Sequence, residues 1–190
     1  KVRLAILASG SGSNAECIMR HFHKHPTVEV VWVGSNRKSA GVLDRAAAWD
    51  VPASAFNREA CDDGTLLGEL NSRKVDWVAL AGFLLQIPAD VVGAFPDRIV
   101  NIHPALLPDF GGKGMYGMHV HRAVRAAELL RSGMTIHWVN AEYDDGAVIF
   151  QAEVELEAHD DAEKIAERVL ELEHQYYAPV LEGLMIGWSE

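Results

Sequence analysis

Apolar residues along this chain come in two rhythms. Short β-rich runs at residues 2–8, 28–33, 51–56, 75–81 and 98–102 alternate with helical stretches at 14–24, 39–49 and 63–72. Such alternation predicts βαβ units, right-handed crossovers and a mostly parallel sheet. The rhythm changes at Pro104, where residues 104–118 are rich in Pro and Gly and a helix is predicted near 119–132. Residues 133–139 and 147–154 then read as an antiparallel pair flanking a turn at Asp144. A closing helix at about 160–182 carries Ile165, Val169, Leu172 and Tyr176 on one face, spaced i, i+4, i+7, i+11. The expected fold is α/β and Rossmann-like, a mostly parallel twisted sheet with an antiparallel C-terminal strand pair. No repeat, low-complexity tract or linker divides the chain, so residues 1–190 are expected to form a single domain.

Composition narrows the function. A chain of 190 residues with 49% hydrophobic content can bury one sizeable core. A net charge of −10 with no basic stripe argues against a nucleic-acid partner. An anionic small ligand stays possible if backbone N–H groups and a few basic side chains receive it locally. Cys17 and Cys61 make neither a disulfide framework nor a metal-ligand spacing, which fits a reducing, cytoplasmic setting. Leu4-Ala5-Ile6-Leu7-Ala8 is too short for a membrane span or a typical signal peptide and reads as the first core strand. His119 and His121 match no metal motif, and no metal is expected.

Two segments carry chemistry. The first is Ser9-Gly10-Ser11-Gly12-Ser13-Asn14-Ala15, between a strand and a helix. Small residues permit a tight turn, and the helix start offers free N–H groups and a positive dipole end to an anion. The pattern also matches the dinucleotide fingerprint G-x-G-x-x-A, but the second strand leads into Gly34-Ser35-Asn36-Arg37, with no carboxylate for a ribose. It lacks G-K-[ST], so it is no triphosphate loop of the Walker type. A monophosphate site suits it better.

The second is Asn101-Ile102-His103-Pro104, which closes an apolar strand where ligands of α/β proteins gather. Further on, His137-Trp138-Val139-Asn140 leads to Asp144 in a Gly-containing turn. A carbonyl attacked by an amine builds negative charge on oxygen, which the Asn101 amide and a protonated His103 can receive. The amine sheds a proton that Asp144 can take. A carboxylate beside His103 raises the imidazole pKa and favours its donor form. Singly, each residue also fits a structural role as turn cap, core histidine or turn residue. Sequence spacing leaves their convergence open.

Together these segments resemble the glycinamide ribonucleotide formyltransferases. The resemblance runs from Val2 to about Met185. Its marks are the Ser9–Asn14 loop, Ser35-Asn36-Arg37, Ala81-Gly82-Phe83, Asn101-Ile102-His103-Pro104-Ala105-Leu106-Leu107-Pro108, His137-Trp138-Val139, Tyr143-Asp144-Asp145-Gly146 and Glu173-His174. It implies a formyltransferase fold and the co-substrates glycinamide ribonucleotide and 10-formyltetrahydrofolate, in a monomer or homodimer. By the same resemblance Asn101, His103 and Asp144 are catalytic. Gly10, Ser11, Gly12, Ser13 and Asn14 hold the phosphate, and Glu173 meets the ribose. Leu84, Leu85, Gln86 and Ile87, with Val139, Asn140 and the segment to Asp144, receive the folate pteridine. On a helical wheel Glu173 falls beside Ala162 and Ala166, at the flank of the apolar face.

The chain departs from this pattern in places. Asp145 stands where the family has Gly, and would suit a backbone of positive φ better than most residues. As a second carboxylate it could also shift the Asp144 titration. Leu84-Leu85-Gln86 lacks a basic residue common in the family's folate loop. Phe110-Gly111-Gly112-Lys113-Gly114-Met115-Tyr116-Gly117 reads either as a lid over the substrate, with Lys113 near phosphate, or as a surface loop. Related activities are set apart by features not expected here: a C-terminal RNA-binding domain in methionyl-tRNA formyltransferases, an N-terminal regulatory domain in formyltetrahydrofolate hydrolases. Sugar-amine formyltransferases have no need of the phosphate cradle. A non-catalytic nucleotide-binding module would keep the glycine loop without Asn101, His103 and Asp144.

Overall fold

Alternation along each strand decides the layers. In β1 (Val2–Leu7) and the Ala8 that follows it, Leu4, Ile6 and Ala8 join one buried cluster while Ala5 and Leu7 join another. β4 (Trp77–Leu80) repeats the split, with Trp77 and Ala79 on the first face and Val78 and Leu80 on the second. Period-two side chains that are apolar on both faces require cover on both sides. The first face is covered by α1 (Ser13–Phe22), α2 (Gly41–Ala48), α6 (Met118–Ala126) and α7 (Ala162–Ser189). The second is covered by α3 (Glu59–Asp62), α4 (Thr65–Ser72) and α5 (Ala89–Ala94). These elements come from a computed structural model that describes residues 1–142 and 144–189. None of the described helices is long and apolar enough to cross a membrane.

The sheet is seven-stranded, in the order β3-β2-β1-β4-β5-β6-β7. β2 is Val28–Ser35, β3 Ala53–Ala55, β5 Ile99–His103, β6 Arg131–Trp138 and β7 Val148–Glu155. β1 to β5 pair in parallel, while β6 runs antiparallel to both β5 and β7. The mostly parallel sheet with an antiparallel C-terminal pair is therefore as expected. Strand order turns back at β1, which opens a crevice at the carboxyl ends of β1 and β4.

Differences from the sequence reading have local causes. α3 and α5 are too short to show a helical period. The helix expected to Ser132 stops at Ala126, because Glu128 takes φ 55° and the chain then enters β6 at Arg131. Leu129 and Leu130, 39% and 59% exposed, do not continue the buried stripe of α6. In α7 the stripe passes through Ile165, Val169, Tyr177, Leu181 and Met185, with Leu172 and Tyr176 at its flank. Glu173 is on that stripe, between Val169 and Tyr177, rather than beside it. The helix continues through Pro179 to Ser189 because apolar burial resumes at Leu181 and Met185.

The loop after β5 is pinned from the neighbouring strands. The Thr135 hydroxyl donates to the Ala105 carbonyl at 2.7 Å and accepts from Leu107 N–H at 3.0 Å. The Gln151 amide donates to the same hydroxyl at 2.9 Å and to the Leu107 carbonyl at 3.0 Å. Thr135, Ala105 and Leu107 are buried, so their groups are withdrawn from water and depend on one another, while Gln151 closes the network from the exposed side. A Thr135→Val variant keeps the shape and orphans the Leu107 N–H. It is expected to lose about 1–3 kcal/mol in urea unfolding, with a lower kcat because His103 sits just upstream of the freed loop.

Candidate active site

Asn101 and His103 lie two residues apart on β5 and therefore on one face of the sheet. Antiparallel pairing sets His137 of β6 directly opposite Asn101. A register shift between Ile136 and His137 marks a bulge in the β6–β7 pairing at the mouth of the cavity. Beyond it, the turn brings Asp144 back over the strand ends. Asp144 takes φ 52°, which Asp tolerates better than most residues. The positive φ thus falls on Asp144 itself and not on Asp145. Gly146 is required nearby, since a Cβ there would stand 1.6 Å from the Trp138 carbonyl oxygen. Tyr143, one of the marks of the resemblance, lies outside the described residues.

The hydrogen bonds assign the ring nitrogens. His137 Nδ1 donates to the Trp138 carbonyl at 2.8 Å, and its Nε2 lies 3.1 Å from Asn101 Nδ2. Asn101 can donate one amide hydrogen to that lone pair and keep the second for a ligand. Asp144 Oδ1 is 3.5 Å from the same His137 nitrogen, and Asp144 Oδ2 is 3.6 Å from His103 Nδ1. The Gly112 N–H donates to Asp144 Oδ2 at 3.0 Å, and His103 Nε2 donates to the Phe110 carbonyl at 2.7 Å. One carboxylate thus faces both imidazoles and holds the loop that starts at Phe110.

The titration of these groups follows from burial and neighbours. Burial, the largest influence on Asp144, pushes its carboxyl up. The neighbouring His137 and His103 imidazoles and the Gly112 N–H outweigh that and leave it below the ordinary carboxylate range. Asp145 is not among the groups that move it. Burial pushes His103 down and exceeds the opposing pull of Asp144, so the unliganded imidazole is more neutral than its ordinary pKa implies. The carboxylate has the expected sign, but desolvation of a residue only 4% exposed is larger. His121, from α6, is pushed down to about 4 by burial and the nearby His103.

At the other end of the crevice, β1 passes through the glycine loop into α1. The helix starts after Gly12 at φ 80° with no side-chain cap, so its first-turn N–H groups keep no capping partner. Gly12 packs on α2, where a Cβ would come within 2.5 Å of Val42. Asn14, in the first turn, donates from Nδ2 to Glu173 Oε2 at 3.0 Å, while its buried Oδ1 has no partner among the described residues. Burial pushes the Glu173 carboxyl from its ordinary 4.5 up to about 7, with the Asn14 hydrogen bond opposing.

A cavity of ≈ 960 Å³ joins the two ends. Asn101, His103 and Asp144 line it, as do Gly10, Ser11, Ser13, Asn14 and Glu173. So do Leu84, Leu85, Gln86, Ile87, Val139 and Asn140. Gly12 is the exception among the expected site residues, because it faces Val42 instead. The 110–117 segment contributes Gly112 to Gly117 to the wall, so it borders the cavity rather than standing apart. Arg37, Arg58 and Lys113 also line it and form no ion pair among the described residues. Sequence reasoning missed His137 and His121 as site residues. His137 stood inside a quoted motif, but its position opposite Asn101 depends on strand register, which residue spacing does not provide.

With this geometry in place, comparison with known proteins is specific. The family model for formyl transferases matches residues 2–181. The chloroplastic phosphoribosylglycinamide formyltransferase of Arabidopsis thaliana is 41% identical over 99% of this chain and 68% of its own length. The Bacillus subtilis (strain 168) phosphoribosylglycinamide formyltransferase is 31% identical over 96% of this chain and 94% of its own. The solved structure of glycinamide ribonucleotide transformylase 1 from Symbiobacterium toebii superposes with a TM-score of 0.90 at 32% identity, covering 98% of this chain and 88% of that one.

The Glu173 carboxyl makes the free protein's stability depend on pH. Its folded pKa lies above its unfolded value, so its proton favours folding below about pH 4.5, and that contribution disappears as pH rises through about 7. This group is expected to remove about 3 kcal/mol of stability between about pH 4.5 and 8. Urea unfolding of Glu173→Gln should lack that component, and the variant should be the more stable protein at about pH 8.

Proposed function

The chain belongs to the formyl transferase family and within it to the phosphoribosylglycinamide formyltransferases, and from that premise we propose that it transfers the formyl group of 10-formyltetrahydrofolate to the amine of glycinamide ribonucleotide, in purine biosynthesis. The ribonucleotide phosphate sits at the loop of Gly10 to Asn14, with its ribose hydroxyls donating to Glu173. The pteridine occupies the wall formed by Leu84 to Ile87, Val139 and Asn140. The glycinamide amine attacks the formyl carbon directly. No covalent enzyme intermediate or metal enters this reading. We place it in a reducing cytoplasm, where Cys17 and Cys61 stay free.

The observation that carries this reading is the continuity of one cavity between an anion-ready helix start and the Asn101–His103–Asp144 cluster. Two ligands must meet there, and the volume is at the upper end of what small-molecule sites use. Unpaired Arg37, Arg58 and Lys113 favour anionic ligands in a chain that is otherwise acidic. A buried carboxyl on Glu173 and the orphaned Asn14 oxygen beside it suit hydroxyl donors.

In the proposed reaction, negative charge on the formyl oxygen is met by the second amide hydrogen of Asn101 and by His103. The Nε2–H of His103 rests on the Phe110 carbonyl in the free protein, and the formyl oxygen takes that carbonyl's place when the folate binds. Asp144 accepts the proton leaving the amine, directly or through water. As the tetrahedral intermediate collapses, the bond from the formyl carbon to folate N10 breaks and that proton passes to N10, releasing tetrahydrofolate. The low pKa of Asp144 keeps it ionised for that role, and its charge favours the imidazolium of His103 once oxyanion character develops.

Folate absorbance during incubation with 10-formyltetrahydrofolate, with and without the ribonucleotide, tests the assignment. Deformylation is expected to require the ribonucleotide, and Asp144→Asn is expected to lower kcat by about 10²–10⁴-fold with both ligands still bound. Deformylation without the ribonucleotide would point to a hydrolase. An Asp144→Asn variant as fast as the wild type would remove Asp144 from the chemistry.

A further inference from the structure

Two consecutive carbonyls of the glycine loop are tied to α2. Val42 N–H donates to the Gly10 carbonyl at 3.1 Å, and Arg45 Nε donates to the Ser11 carbonyl at 2.8 Å. In a planar trans peptide the C=O and N–H of one unit point in opposite directions. Holding the Gly10 and Ser11 oxygens toward α2 therefore turns the Ser11 and Gly12 N–H groups away from it. Gly10, Ser11, Ser13 and Asn14 of the loop line the cavity, whereas no residue of α2 does, so the cavity lies on another side of the loop from α2.

Arg45 makes a second contact. Its Nη1 pairs with Glu16 in the first turn of α1, and the other Glu16 oxygen lies 3.5 Å from Trp49 Nε1. A carboxylate in that turn competes with a bound anion for the positive end of the helix. Pairing with a guanidinium offsets its charge without adding a group to the cavity wall, since Arg45 is not among the lining residues. The planar fork reaches a carbonyl and a carboxylate at once, which a lysine ammonium at the end of a flexible stem does poorly.

We propose that Arg45 is the positioning residue of the phosphate cradle: it holds the Ser11 carbonyl and neutralises Glu16, and so keeps the loop's N–H groups directed at the ligand phosphate. The proposal rests on the reading of the Gly10–Asn14 loop as the phosphate end of the site. Arg45 touches neither substrate nor reacting atoms in this scheme.

Steady-state kinetics with glycinamide ribonucleotide and with its dephosphorylated riboside separate the possibilities. Arg45→Gln is expected to raise KM for the ribonucleotide by about tenfold. Its kcat should stay within about twofold, with the KM for folate unmoved. The riboside, which has no phosphate to place, should show the same kcat/KM with variant and wild type. Arg45→Lys should fall between the two, because the charge opposing Glu16 is kept while the fork is lost. Equal loss on ribonucleotide and riboside, or a loss confined to kcat, would overturn the positioning role. A wild type that uses the riboside as well as the ribonucleotide would remove the phosphate reading itself, and the proposal with it. If Arg45→Gln does not fold, inorganic phosphate decides with Arg45→Lys. A melting temperature raised less by phosphate than in the wild type supports the proposal, and an equal rise overturns it.

Discussion

The reversal of strand order at β1 is the constraint on which the rest of this molecule depends. β1 is flanked by β2 on one side and β4 on the other, so the crossovers that leave their carboxyl ends diverge and no helix closes the gap between them. Much of the cavity wall is delivered to that gap by strand ends: the glycine loop by β1, Arg37 by β2, Gly82 to Ile87 by β4, Asn101 and His103 by β5. Ser9 ties three of these together. Its hydroxyl donates to Asn36 Oδ1 at 2.5 Å and accepts from Leu84 N–H at 2.9 Å, while its own N–H reaches the Gly82 carbonyl at 2.9 Å. The loops that follow β1, β2 and β4 are thus hydrogen-bonded to one another through a single buried serine.

What the frame holds is a set of charges that folding alone would not favour. Asp144 and Glu173 are both largely withdrawn from water, yet their environments push them in opposite directions. Asp144 faces two imidazoles and the Gly112 N–H and stays ionised. Glu173 has a single amide donor on an apolar helix stripe and approaches neutrality. Two carboxyls in one cavity are thereby pushed toward different protonation states, which suits the separate roles proposed for them.

Much of this was legible in the residue order. Alternating apolar runs gave the sheet and its helices, and the Asn-x-His strand end and the small-residue loop marked both ends of the site. Local pattern failed where tertiary pairing decides. Residue order alone makes α6 too long, because Leu129 and Leu130 look like helix core but sit exposed on the way into β6. It sets Glu173 beside the apolar face when it lies on it, since the stripe through Val169, Glu173 and Tyr177, spaced four apart, looks interrupted by its own charge. His137 depended on cross-strand register, and the α-carbon of Gly12 packs on Val42, outside the cavity lining.

The contact between Asn14 and Glu173 spans 159 positions of chain, from the first helix to the last. A pairing that distant brings high contact order to the glycine-loop end of the cavity, and loop closure must come before the contact rewards it. Synthesis has to pass residue 173 before that end can exist. The Tyr177 hydroxyl, reaching the Leu80 carbonyl at 2.8 Å and the Val100 carbonyl at 3.0 Å, then fastens α7 across the ends of β4 and β5. However much of the parallel sheet has formed, a chain still short of residue 173 lacks this contact. The glycine-loop end of the cavity waits for the last helix.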